Sequence, residues 1–301
     1  MATGVDSIQI TGSKTHKLSF LRLVRSEWIK VFTLRSTWWI LGFTVVLNIG
    51  ISLALIAALR YAEYIATTPM PGAEEFEFEV ELGSLGMLSN VVVTGCGFVG
   101  QLVFIIFAVL AITNEYSSGM IRSTFTASPR RLRVLLAKLV VIATLCIPIF
   151  AISVGASWAG GYAILQGCIG VDVTLTSAVS LRIMGGFLIS ITLLALFCFG
   201  LGTIIRSTAG SIGMAVGIIV VLPMVFSVLL QVFATDPDPT GWVRWLMNAS
   251  EFLPTTAGWV ITQPEFSDSA ILGPWEGVGV LGAWTLGCLV IGFTTTVRRD
   301  V

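Results

Sequence analysis

Six stretches of this chain each run for at least 21 residues without an Asp, Glu, Lys or Arg, and that spacing of charges restricts the fold more than any other feature. They lie between Arg35 and Arg60, Glu81 and Glu115, Lys138 and Asp172, Arg182 and Arg206, Arg206 and Asp236, and Glu276 and Arg298. A helix needs about 20 largely uncharged residues to cross the hydrocarbon layer, so each stretch is long enough to span it. With 55% hydrophobic and 11% charged residues and a mean hydropathy of +0.92, the composition is that of a chain whose main solvent is lipid. The expected fold is therefore an all-α polytopic membrane protein, 1–301 forming a single transmembrane domain. The spans are expected near 38–60, 91–114, 135–163, 183–205, 209–233 and 276–297. The first apolar run is too long for a signal-peptide core and has no small-residue cleavage site behind it, so it reads as a retained span.

Orientation follows from the basic residues. With the N-terminus and C-terminus both cytoplasmic, 14 of the 17 Lys and Arg fall on the inner side, leaving only Arg60, Arg182 and Arg244 outside. The acids sort the other way, 13 of 17 lying outside. A multi-pass protein of a bacterial plasma membrane is the expectation. No charge falls near the middle of a span, which argues against an ion-coupled transporter, because such proteins place ionisable groups at depth.

Several landmarks interrupt the spans. Residues 17–37 read as an amphipathic interfacial helix, with Arg22, Ser26, Lys30 and Thr33 on a basic face toward lipid headgroups and Leu21, Val24, Trp28 and Val31 on another face. Trp38 and Trp39 mark the turn into the bilayer, and a solvated basic tail is the alternative. In the outer segment 61–90, EEFEFEVEL at 74–82 alternates as a short strand would, with a cation-binding acidic patch as the alternative. The segment 114–133 between spans two and three is basic: Gly119 suits a helix C-cap, Ser128 and Pro129 an N-cap and first helical position, and Met120 to Ala127 one or two amphipathic turns. A short cytoplasmic helix able to transmit a push and an ordinary arginine-bearing loop are equally compatible with these residues. The outer segment 234–275 is apolar but broken by Pro254, Gly258 and Pro264, and reads as one or two re-entrant or interfacial helices before span six.

The glycine motifs GCGFVG at 95–100 and GVGVLG at 277–282 match a dinucleotide fingerprint only as strings, because neither follows a strand in a βαβ unit. They read as helix-packing glycines, as do the ridges Gly213/Gly217 and Gly279/Ala283/Gly287. Pro148 and Pro223 each free a backbone carbonyl inside a span and are expected to kink it. Four of the five cysteines sit in apolar runs and read as small buried side chains, with a Cys96–Cys168 disulfide near the outer face as the alternative.

Catalytic chemistry has little to build on. The one histidine, His16, lies in the N-terminal tail, no phosphate-binding loop is present, and Glu115 is the only acid close to a membrane boundary, with no second carboxylate nearby in sequence. An intramembrane enzyme would need a buried ionisable cluster. If ATP drives the protein, another chain binds it.

Taken together, RSEWIKVFTLRSTWW at 25–39, NEYSSGMIRSTFTASPRR at 114–131 followed by Lys138, GLGTIIRSTAGSIG at 200–213 and six spans with a long final outer loop resemble the membrane subunit of a bacterial ATP-binding-cassette exporter of the type-2 permease family. The middle motif is the most specific, with Met120 where threonine is common in the family. The resemblance implies two six-helix permeases, either two copies or a homologous pair, working with two ABC ATPase subunits that carry the ATP and Mg; this chain itself binds no cofactor. It implies a coupling surface of Glu115, Gly119, Arg122, Ser123, Pro129, Arg130 and Arg131, none of them chemically catalytic. It also implies a substrate path along spans two and five, here Phe98, Gln101, Phe104, Met214, Val221 and Phe226, apolar enough to favour hydrophobic or amphipathic cargo. Membrane lipids are the other expected partners, and no nucleic acid is. A non-transporting scaffold or immunity protein is the alternative function.

Overall fold

In a computed structural model, residues 19–67, 87–120, 131–165, 177–233, 241–264 and 271–298 are described. Six of their helices are long and apolar enough to cross a membrane, and the chain is an all-α polytopic membrane protein. Helix α1 (Phe20–Thr33) precedes span one, α2 (Arg35–Thr67); span two is built from α3 (Met87–Phe98) and α4 (Gly100–Ser117); span three is α5 (Arg131–Leu165) and span four α6 (Ala178–Ile205). Span five joins α7 (Thr208–Val216), a π turn (Gly217–Val221) and α8 (Leu222–Phe233). Two short helices, α9 (Trp242–Glu251) and α10 (Pro254–Val260), lead to span six, α11 (Pro274–Arg298). The acidic 74–82 stretch, Cys168 and the 121–130 turns fall outside the described residues, and Cys96 carries a free, buried thiol.

Spans two, three and four carry the core. Their aromatic rings form a chain, Phe104 to Phe150 at 5.6 Å, Phe150 to Phe187 at 5.8 Å and Phe187 to Trp259 of α10 at 5.9 Å between centroids. The edge-on or tilted geometry is the one that ring quadrupoles favour. Span four is mostly buried within the subunit and span five mostly exposed, so span five hangs on the outside of the bundle.

Glycines set the closest approaches, as the sequence suggests for the 95–100 motif. A methyl on Gly95 would meet the Ser52 backbone at 2.5 Å, one on Gly97 would overlap the Trp259 ring, and one on Gly100 would overlap the Asn48 side chain. Span two also breaks here, since Val99 leaves the helical bond pattern between α3 and α4 with φ −115°. The other ridges behave differently from the expectation. A methyl added to Gly213, Gly217, Gly279 or Gly287 would find no atom of the described residues within 4 Å, so these glycines are not packed against a neighbouring helix of the same subunit.

The elbow between α1 and α2 is a single extended residue, Leu34, with ψ 116°. Aromatic contacts brace it: Trp28 stacks on Phe32 at 5.0 Å, Phe32 meets Trp38 at 5.2 Å, and the Trp38 indole N–H donates to the Phe32 carbonyl at 3.2 Å. The short helices before span six are not both superficial. Helix α9 is amphipathic and exposes Trp242 and Trp245, whereas α10 is sunk into the bundle with Pro254, Ala257 and Gly258 buried. Trp259 holds it against Gly97 and Phe187, the Asn90 amide donates to the Thr262 carbonyl at 2.7 Å, and Arg182 donates to the Gln263 carbonyl at 2.7 Å.

Candidate functional site at the basic end of the bundle

The last turn of α4 carries Asn114, Glu115 and Tyr116, and leads directly into the 121–130 segment. Successive side chains on a helix diverge by about 100°. Glu115 and Tyr116 accordingly face different neighbours.

Glu115 points toward α1 and α5 and enters a four-charge cluster. Lys138 of α5 donates to Glu115 Oε1 at 2.7 Å and to Glu27 Oε2 at 2.6 Å, while Lys30 donates to Glu27 Oε1 at 2.7 Å and to Glu115 Oε1 at 3.2 Å. The side chains of Lys138, Glu27 and Glu115 are 6%, 7% and 11% exposed, so three of the four charges are withdrawn from water. Two cations and two carboxylates cancel, which is the condition for keeping such groups buried. The cluster ties three elements that are distant in sequence. Glu115, with no second carboxylate nearby in sequence, has one close to it in space, supplied by α1, and one reading is corrected: Lys30 turns inward to these carboxylates instead of outward to headgroups.

The signal for Glu27 lies on the α1 stripe. Positions 24, 27, 28 and 31 follow the i, i+3, i+4, i+7 rule, so Glu27 is the one charge on the face that carries Val24, Trp28 and Val31. Leu21, assigned to that face from sequence, is instead 76% exposed. Lys138 gives a similar signal, a lone cation between the buried Val134, Leu135, Val141 and Ile142.

Burial pushes the Glu27 carboxyl upward, but the attraction and hydrogen bonds of Lys138 and Lys30 outweigh it and hold the pKa below the ordinary 4.5. For Lys30, burial pulls downward while its bonds to Glu27 and the Glu115 charge prevail and raise it above 10.5. A depressed carboxyl contributes stability above its unfolded value and loses it as pH falls through the folded value; a raised ammonium contributes below its unfolded value and loses it as pH rises through the folded one. Docking of α1 is therefore expected to be flat from about pH 5 to about pH 10 and to loosen outside that window. Hydrogen exchange of the α1 amides against pH checks this, and a midpoint near pH 7 would contradict it.

Tyr116 faces the other way. Its ring lies under the Arg206 guanidinium, 5.3 Å from the cation to the centroid, and its hydroxyl is 3.3 Å from that of Thr296 in α11. Arg206 also donates to the Thr295 carbonyl at 3.2 Å. The geometry depends on a left-handed residue: Arg206, with φ 60°, ends α6, its N–H returning to the Gly202 carbonyl at 3.1 Å, and Ser207 then caps α7 by accepting from the Gly210 N–H. Spans two, four and six thus meet at one cation–ring contact.

The end of α4 is finished as the sequence suggests. Gly119 adopts φ +69° and donates its N–H to the Tyr116 carbonyl at 3.3 Å, while the Asn114 carbonyl accepts from the Ser118 N–H at 3.1 Å and from its hydroxyl at 2.7 Å. Of the remaining coupling candidates, Arg122, Ser123, Pro129 and Arg130 lie outside the described residues, and Arg131 opens α5 with its side chain likewise outside them. The path candidates divide. Gln101 and Phe104 are buried in the subunit core, Met214 and Val221 are each 50% exposed on span five, Phe226 is half-buried, and Phe98 closes α3 with its side chain outside what is described. No group of three or more His, Cys, Asp or Glu suited to a metal occurs among the described residues.

A family model described as "ABC-2 family transporter protein" matches residues 21–301. The chain belongs to that family, and so is a membrane component of an ABC transporter. No curated protein matches it.

Proposed function

We propose that this chain is the permease subunit of an ATP-driven exporter in a bacterial plasma membrane, moving hydrophobic or amphipathic molecules outward while a separate ABC ATPase hydrolyses ATP with Mg. The observation that carries the reading is the double grip on the end of span two. Glu115 joins that end to α1 and α5, and Tyr116 joins it to spans four and six, so a displacement of the adjoining basic segment is passed to most of the bundle at once. Arg122, Ser123, Pro129, Arg130 and Arg131 form the contact with the ATPase in this reading, and Glu115 and Gly119 anchor it. Two permeases, identical or homologous, complete the transporter, with span five as the element that is least held within its own subunit.

Co-purification tests the reading. A soluble ATPase is expected to accompany the permease, and Arg122→Glu with Arg130→Glu is expected to weaken that association by roughly tenfold, about 1.4 kcal/mol. A scaffold or immunity protein would keep its function when ATP hydrolysis in its partner is blocked. Retention of function under that block would end the permease reading.

A further inference from the structure

Span five contains a turn that cannot satisfy its own backbone. In the π turn Gly217–Val221 the Leu222 N–H bonds back to the Gly217 carbonyl, one residue further than in an α-helix. The N–H four residues after Ile219 belongs to position 223, and Pro223 has none. The Ile219 carbonyl nevertheless has a donor: the Thr255 hydroxyl of α10 reaches it at 3.0 Å from 36 residues away in sequence. In lipid a carbonyl denied its α-type amide gains from a donor supplied by a neighbouring element, and the Thr255 hydroxyl is such a donor for Ile219.

The two partners differ in how firmly they are held. Helix α10 is packed into the bundle, held by Trp259 between Gly97 and Phe187, by Asn90 and Arg182 on the carbonyls at its end, and by Gly277 of span six against the Ala257 carbonyl. Beyond the π turn, α8 contains no buried residue. Between them Thr255 makes the hydrogen bond.

We propose that Thr255 is a positioning residue that latches span five to the rest of the subunit at a hinge formed by the π turn and Pro223, so that α8 pivots when the latch opens. The role in transport, opening of the outer half of the subunit to release cargo, rests on the permease reading above. The latch itself does not.

Hydrogen–deuterium exchange on the full chain in lipid nanodiscs, without ATPase or cargo, tests it. Thr255→Val, which keeps the shape and removes the hydroxyl, is expected to raise exchange across Leu222–Phe226 roughly threefold or more. Thr255→Ser, which keeps the hydroxyl, is expected to match the native chain. Pro223→Ala restores an N–H four residues after Ile219, so by itself it is expected to slow exchange in the turn, and in its background Thr255→Val is expected to be silent. Unchanged exchange in Thr255→Val, a rise in Thr255→Ser as large as in Thr255→Val, no slowing in Pro223→Ala, or the same Thr255→Val rise in the Pro223→Ala background would each overturn the latch. Because no transport is measured, a chain that fails to export leaves this result standing and counts only against the permease reading.

Discussion

Replacing Lys138 with Met is expected to destabilise the subunit by about 3–5 kcal/mol, the cost of stranding a buried charge that has lost its partner. Lys138 bridges Glu27 and Glu115 through bonds of 2.6 and 2.7 Å, and both carboxylates are almost fully withdrawn from water. Without it, Lys30 is the one cation left to the two acids among the described residues, and its side chain is 40% exposed. One carboxylate must then take up a proton or pull away, and either change releases α1. Thermal unfolding in detergent should show the loss, with proteolysis near α1 rising in parallel. Neutralising the whole cluster, with Glu27→Gln, Glu115→Gln, Lys30→Gln and Lys138→Met together, is expected to recover most of the stability, because no unpaired charge remains. On the permease reading proposed above, that variant is expected to remain uncoupled from ATP hydrolysis by the partner. Full stability in the single Lys138→Met variant would show that the cluster does not hold α1.

Gly277→Ala is expected to cost about 1–3 kcal/mol or more, because the added methyl would run into the Ala257 carbonyl, a backbone atom that cannot rotate aside. The collision would drive α10 away from span six and lift Trp259 from its seat on Gly97. Gly279→Ala, two residues on, meets nothing of the described chain within 4 Å and is expected to be nearly neutral in the isolated subunit. Comparing the melting temperatures of the two variants checks both statements. Equal melting would mean that α10 is not held by this approach.

The six spans were legible because exclusion of charge from lipid acts on the whole sequence at once and needs no knowledge of partners. Gly119 was legible for a local reason, since a left-handed cap has few other solutions. The buried cluster was not, although the signals existed: Glu27 stands on an apolar stripe and Lys138 in an apolar run, but their pairing is set by tertiary contact across 111 residues. The glycine motifs show the same limit. Periodicity marks a small-residue ridge but cannot tell one packed on its own subunit, such as Gly95, Gly97 and Gly100, from one left open, such as Gly213 and Gly217. The π turn escaped for a similar reason. Pro223 announced a missing donor, but only the fold reveals that a threonine of a later helix takes its place.

The opposed directions of Glu115 and Tyr116 have a mechanical consequence. A rod gripped at its tip by partners on two different sides acts like a keyed shaft: spinning it about its long axis shears one grip or the other, whereas tilting or sliding it carries both sets of partners along. Force arriving at this tip would therefore emerge as a concerted lean of the surrounding rods, with rotation of a single one suppressed.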